Sequence, residues 1–184
     1  ADISQLGITV AATADNKVYD ATTEATVALA SNGILGADDV SFNGTGAFSD
    51  KNAGSGKTVT VTDITASGTD AANYSINSSA TDLADIAKLG ITIAAAADDK
   101  VYDASIDAMV TLTSSEIFAD DEVNFTGTGA FSDKNAGTGK TVIVTGISAD
   151  GLDAGNYSFN TSATDVADIS QLGITVAATA DNKV

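Results

Sequence analysis

The sequence predicts an all-β fold repeated in tandem, and three observations carry that expectation. Residues 1–83 align with 84–166 without a gap at 54 identical positions, and residues 167–184 reproduce 1–18 without a difference. Lys57-Thr58-Val59-Thr60-Val61-Thr62 sends valines to one face and threonines to the other, the two-residue period of a half-buried strand. No stretch shows an amphipathic helical pattern of adequate length; short apolar stretches alternate instead with Gly, Asn and Asp turn signals. A fixed period of this size marks a repeat architecture. The expected division is 1–5 as the tail of a preceding repeat, 6–88 as β repeat 1, 89–171 as β repeat 2, and 172–184 as the first strand of a truncated third. Each repeat is long enough for a small core.

In chain order, Ile8-Thr9-Val10 begins the first strand, with Ile8 and Val10 on one face. Ala11 to Ala14 reads as an extended edge rather than a helix, because Thr and the Asp15-Asn16 turn signal flank it. Val18-Tyr19-Asp20 leads to Ala25–Leu29, where Val27 and Leu29 alternate with small or polar residues, and Ser31 to Asp39 is a loop or a single helical turn. Val40-Ser41-Phe42 is a third strand running into Gly44-Thr45-Gly46, and Lys57–Thr62 is the cleanest one. Asp70–Ile76 starts another, and Ala80 to Ile86 closes the unit. Repeat two carries the same set at Ile91/Ile93, Val110/Leu112, Val123/Phe125, Val142/Val144 and Tyr157/Phe159.

Asp70-x-Ala72-x-Tyr74 follows the alternating strand, and Asp153-x-Gly155-x-Tyr157 does the same. This is similar to the corner of immunoglobulin-like sandwiches, where a tyrosine hydroxyl ties to the backbone just before its strand. The expected fold is therefore tandem immunoglobulin-like β-sandwich repeats in an elongated rod, with β-grasp-like repeats as the alternative. A ten-residue strand would give about 33 Å per unit along the axis.

Composition excludes several functions. Eight Lys+Arg against 25 Asp+Glu give a net charge of −17, which repels nucleic acid phosphates and anionic membranes. The absence of His and Cys removes Ser-His-Asp and Cys-His catalysis and the usual zinc, copper and iron ligands. No run of 18 apolar residues is long enough to span a membrane. The chain begins and ends inside a repeat, which predicts a piece of a longer protein with targeting signals elsewhere. No enzyme activity is expected.

Gly54-Ser55-Gly56-Lys57-Thr58 superficially suggests a phosphate-binding loop. Lys51 stands where that motif needs glycine, and a strand rather than a helix follows, so a hairpin turn is the better reading. Asp38-Asp39 and Asp120-Asp121-Glu122 recur in one loop, and Asp82/Asp85 and Asp165/Asp168 flank the repeat junctions near Asp15 or Asp98-Asp99. No cofactor is expected. Calcium at the junction carboxylates Asp82, Asp85, Asp98 and Asp99 stands as the alternative to a solvated acidic surface. Three exchanges make outward polar positions apolar, Thr23 to Ile106, Thr26 to Met109 and Thr60 to Ile143, and predict a small satellite cluster on repeat two.

Lys17-Val18-Tyr19-Asp20-Ala21, then Lys51-Asn52-Ala53-Gly54-Ser55-Gly56-Lys57-Thr58-Val59, then Asp70-Ala71-Ala72-Asn73-Tyr74-Ser75 resembles the YDG-type repeat of large bacterial surface adhesins. The second copy, from Lys100-Val101-Tyr102-Asp103-Ala104 through Asp153-Ala154-Gly155-Asn156-Tyr157, is similar again. Alanine replaces the glycine after Tyr-Asp, which predicts a locally different turn. The resemblance implies an extracellular, cell-surface or secreted bacterial protein whose repeats form a stalk carrying a binding domain outward, without catalytic residues. Neighbouring repeats are the expected partners, and a repeated module binding glycan or protein by avidity is the alternative. The chain is expected to be a monomer, with 172–184 adding as a strand to another molecule or to repeat two.

Overall fold

A computed structural model describes residues 2–180; what was expected of Ala1 and of 181–184 lies outside the described residues. The chain is all-β. Its helical pieces among the described residues are two three-residue 3-10 turns, Ala71–Asn73 and Ala154–Asn156, which leave no helix for a β-grasp arrangement.

The first repeat forms nine strands: β1 Leu6–Gly7, β2 Ala11–Ala14, β3 Lys17–Val18, β4 Glu24–Ala25, β5 Val27–Ala30, β6 Ser41–Phe48, β7 Gly54–Ser67, β8 Tyr74–Ser75 and β9 Ala80–Ala87. The second forms the same series: β10 Leu89–Gly90, β11 Ala94–Ala97, β12 Lys100–Val101, β13 Asp107–Ala108, β14 Val110–Thr113, β15 Asn124–Phe131, β16 Gly137–Asp150, β17 Tyr157–Ser158 and β18 Ser162–Ser170. Each series gives a five-stranded sheet, in order β3-β9-β7-β6-β4 or β12-β18-β16-β15-β13, and a two-stranded ribbon, β2-β5 or β11-β14. Within the large sheet of the first repeat, β3 runs parallel to β9 and the other neighbours are antiparallel. A short parallel pair, β1-β8 or β10-β17, completes each set.

The chain divides into two compact units. Unit 1 is Ala1–Gly90 with Phe118–Glu122 and Leu152–Ser158; unit 2 is Ile91–Ile117, Val123–Gly151 and Phe159–Val184. In unit 1, Val59 and Val61 are fully buried while Thr58, Thr60 and Thr62 face solvent, as the alternation requires. Val10, Val61 and Ile64 form a core that Ala12, Val27 and Leu29 of the ribbon cover. The ribbon crosses β6 closely: a Cβ on Gly46 would meet Cγ1 of Val27 in β5 at 2.7 Å, so glycine is what lets the chains approach. Unit 2 repeats this with Ile93, Val144 and Ile147 in one cluster and Phe131, Val142, Ala167 and Ile169 in another.

Four local expectations need correcting. Ile8–Val10 is not a ladder strand, because a side chain does the pairing: Asn77 Oδ1 accepts the Val10 N–H at 2.7 Å and Asn77 Nδ2 donates to the Val10 carbonyl at 3.0 Å. Asn160 holds Ile93 in the same way. The third strand does not stop at Phe42; the glycines after it lie inside the eight-residue β6.

Gly54-Ser55-Gly56 is not the hairpin turn. It lies inside β7, where the register against β9 slips between Gly54 and Lys57, and Gly56 takes φ +60° to absorb the extra residue. The turn itself is Ser49–Ala53, closed by Asp50 Oδ1, which accepts the Asn52 N–H at 2.9 Å and the Lys57 ammonium at 2.7 Å.

The positions expected to form the satellite cluster stand open to solvent: Met109 is 78% exposed, and Ile106 and Ile143 are exposed as well. Residues 171–180 carry no strand, and Leu172, Ile174 and Val176 are exposed.

The turn after Tyr-Asp keeps a left-handed residue although it lacks glycine. Ala21 has φ +62° and Ala104 φ +67°. Lys17 Nζ holds the loop around it by donating to Asp20 Oδ1, the Thr22 carbonyl and the Glu24 carbonyl at 2.7, 2.9 and 3.0 Å. A left-handed L-residue costs about 1–2 kcal/mol, and glycine returns about 0.5–1 of that as entropy. Ala21→Gly is therefore expected to raise the stability of unit 1 by about 0.5–1 kcal/mol in urea unfolding; a loss would show that the turn is not strained.

Candidate functional site

The densest polar construction in unit 1 surrounds Asp121. The Phe118–Glu122 segment is shaped by its own backbone, with the Asp121 N–H on the Phe118 carbonyl at 3.0 Å, and is fastened by Asp153 Oδ2, which accepts the Glu122 N–H at 3.1 Å. Tyr157, at the head of β17, is set by parallel pairing with Leu89. Its hydroxyl accepts the Phe118 N–H at 3.2 Å and donates to Asp121 Oδ2 at 2.6 Å.

Two further side chains reach the same carboxylate. Tyr19, placed by its N–H bond to the Ala87 carbonyl, donates its hydroxyl to Asp121 Oδ2 at 2.7 Å. Lys51, on the turn after β6, donates to Asp121 Oδ1 at 2.8 Å and pairs with Asp153 Oδ1 at 2.9 Å. The Asp121 side chain is 0% exposed, so this is a buried charge with a full set of donors. Around it, Tyr19 packs edge-on to Phe118 at 5.8 Å and to Tyr157 at 5.5 Å between ring centroids. Asn156 completes the set: it is 3% exposed, and its Oδ1 accepts the Ala53 N–H at 2.8 Å.

The first repeat repeats half of this wiring. Tyr74 accepts the Leu35 N–H at 2.9 Å and donates to Asp38 Oδ2 at 2.6 Å, while Asp70 Oδ2 accepts the Asp39 N–H at 2.9 Å. The corner expectation is corrected here. The hydroxyls of Tyr74 and Tyr157 reach a loop 39 residues upstream, not the turn just before their own strand. A buried phenol takes whichever backbone donor the packing presents, and the acidic loop presents one.

The YDG domain family matches this chain twice, over residues 4–82 and 87–165. The chain belongs to the YDG domain family. No match is found among curated proteins. The Tyr-Asp of the first YDG domain, Tyr19-Asp20, thus has two different duties: Tyr19 seals the Asp121 cluster, and Asp20 closes the Lys17 loop. In the second YDG domain Asp103 holds its own loop likewise, and the Lys100 ammonium and the Ser105 N–H draw its carboxyl down to about 2.

The junction carboxylates of the tandem YDG chain serve the backbone. Asp82 Oδ2 accepts the Ala14 N–H at 2.9 Å and Asp85 Oδ1 the Gly56 N–H at 2.7 Å. Asp165 and Asp168 take the N–H groups of Ala97 and Gly139, and Asp99 Oδ1 takes that of Asp168 at 2.6 Å. Among the described residues no group of three or more acidic side chains is arranged to hold a metal ion.

Titration follows the same geometry. Burial works to raise the Asp121 carboxyl, but bonds from Lys51, Tyr157 and Tyr19 outweigh it and hold the carboxyl below its usual range. Burial, then the bond to Asp121, pushes the Tyr157 phenol up to about 12 and raises Tyr19 as well. Asp121 and Asp153 raise the Lys51 ammonium far above its usual value. A phenol or ammonium raised in the folded state lends stability that is complete below its unfolded value and is lost as pH rises through the folded one. Unit 1 is accordingly expected to lose stability between pH 10 and about 12, and Tyr157→Phe to flatten that decline. Thermal melts from pH 9 to 12.5 measure it; an identical slope in the variant would remove Tyr157 from the effect.

Proposed function

We propose that these YDG domains are structural extender repeats of a bacterial cell-surface or secreted adhesin, projecting a binding domain from the cell. The observation that carries this reading is that unit 1 is completed by Phe118–Glu122 and Leu152–Ser158 of the second repeat. A repeat whose packing is finished by its successor has nearest-neighbour stability, which suits a series of any length. Gapless duplication points the same way. The role is mechanical, not catalytic, and it needs no resident metal, since the acidic side chains at the junctions already hold backbone N–H groups.

Small-angle X-ray scattering of this chain, in calcium and in chelator, tests the proposal. A rod-like profile in both is expected. A compact profile in both would overturn the extender reading, and extension in calcium alone would make Asp82, Asp85, Asp98 and Asp99 ligands. Retention of glycan or protein by the two-domain chain would favour the ligand-binding reading instead.

A further inference from the structure

The residues that receive the acidic loop in unit 1 occur a second time, in unit 2, with no acidic loop seated on them among the described residues. Tyr19, Lys51, Asn52 and Ala53 correspond by the 83-residue offset to Tyr102, Lys134, Asn135 and Ala136. Tyr19 is 1% exposed, whereas Tyr102 is half-buried, and Lys134 is exposed and makes no ion pair among the described residues. Tyr102, Asn135 and Ala136 line an open cavity of about 450 Å³ rimmed by Leu172 and Ile174.

The complementary half is free in unit 1. Leu35, Asp38, Asn73 and Tyr74 correspond to Phe118, Asp121, Asn156 and Tyr157, and the wiring within each set is the same. Their exposure differs: Asn156 is 3% exposed but Asn73 lies open, and Leu35 is 61% exposed. The chain therefore carries a vacant receiver, with a cation on it, and a vacant acidic insert. Unit 1 displays how the two lock.

We propose that the Tyr102–Lys134–Asn135 face binds the Asp38–Tyr74–Asn73 face of a second copy of this chain, head to tail. Lys134 takes Asp38 and Asp70 as Lys51 takes Asp121 and Asp153, Tyr102 donates to the Asp38 carboxylate, and Asn73 accepts the Ala136 N–H. The contact is heterologous, so it propagates instead of closing into a dimer. Global repulsion between copies of charge −17 opposes it, and this is screened at physiological salt, where the Debye length is about 8 Å, while a contact ion pair survives. The inference does not rest on the extender reading, because any chain bearing these two faces would associate.

Sedimentation velocity at 150 mM salt, across protein concentrations up to millimolar, tests it. The weight-average sedimentation coefficient of the wild-type chain is expected to rise steadily with concentration. Lys134→Glu should weaken association at least about tenfold, with an unchanged melting temperature because the side chain is exposed. Asp38→Lys should do the same, and an equimolar mixture of Asp38→Lys with Lys134→Glu should regain association, since the intact Lys134 of the first meets the intact Asp38 of the second. A chain that stays monomeric at every concentration, or a Lys134→Glu variant that associates like wild type, would overturn the proposal.

Discussion

Asp121→Ala is expected to destabilise unit 1 by about 3–5 kcal/mol, the cost of breaking a buried ion pair by removing one partner. The loss falls on four groups at once. The Lys51 ammonium keeps Asp153 alone, the hydroxyls of Tyr19 and Tyr157 lose their acceptor, and the rings around the carboxylate face a void. The molecule supplies its own control in Asp38, the equivalent residue of the first repeat, whose carboxylate accepts the Tyr74 hydroxyl in a more open setting. Asp38→Ala should cost about 1 kcal/mol, a single hydrogen bond. Urea unfolding followed by tyrosine fluorescence reads both, as the chain has four Tyr and no Trp. Equal losses for the two variants would mean that the buried cluster adds nothing beyond its local tyrosine bond. Lys51→Met combined with Asp121→Ala should cost less than the sum of the two single variants, because both remove the same ion pair.

Gly68→Ala is expected to be of similar size, about 3–5 kcal/mol, for a different reason. Gly68 has φ +117°, a region closed to L-residues, and a Cβ there would overlap the Asp39 carbonyl oxygen. The backbone term is about 1–3 kcal/mol, and forcing the neighbouring chain aside adds a comparable amount. That neighbour cannot yield cheaply, since the same Asp39 carbonyl accepts the Asp70 N–H at 3.2 Å and so anchors the acidic loop. Gly56→Ala separates the two terms: φ is +60° and nothing lies within 4 Å of the added carbon, so about 1 kcal/mol is expected. If the two variants lost the same amount, the close approach to Asp39 would not matter.

Much of the fold was legible in the residues because it is local. Valines at 59 and 61 and threonines between them state a strand and its inner face without help from the rest of the chain. Ala11–Ala14 was readable as a strand against its helix propensity because its flanks are turn residues, and it pairs with Val27–Ala30. What escaped is non-local. Asn77 serving as a strand partner for Val10 depends on a residue 67 positions away, and a lone Asn between two strands reads as a turn. The Asp121 cluster joins residues 70 and 102 positions apart, and no spacing rule links Lys51 or Tyr19 to that loop. One signal was available. Lys-Asn-Ala is kept in both copies at a hairpin tip where turn geometry asks for Asp and Gly, not for those side chains. The duplicated Asp-x-x-x-Tyr suggests a corner with a nearby partner, whereas the hydroxyl meets a loop 39 residues upstream.

The parallel pairing of β3 with β9 has a mechanical meaning. These are strands near the entrance and exit of the first repeat, and Lys17–Val18 lies alongside Ile86–Ala87 with both chains running the same way. Tension applied through the chain ends drags the two strands along each other in opposite senses. The ladder bonds, with the Tyr19 N–H to the Ala87 carbonyl beyond them, are then loaded in shear and must rupture together, not peel apart one by one. Single-molecule stretching from the termini should meet a higher rupture force than stretching applied at the hairpin tip near Asn52, where the strands open like a zipper.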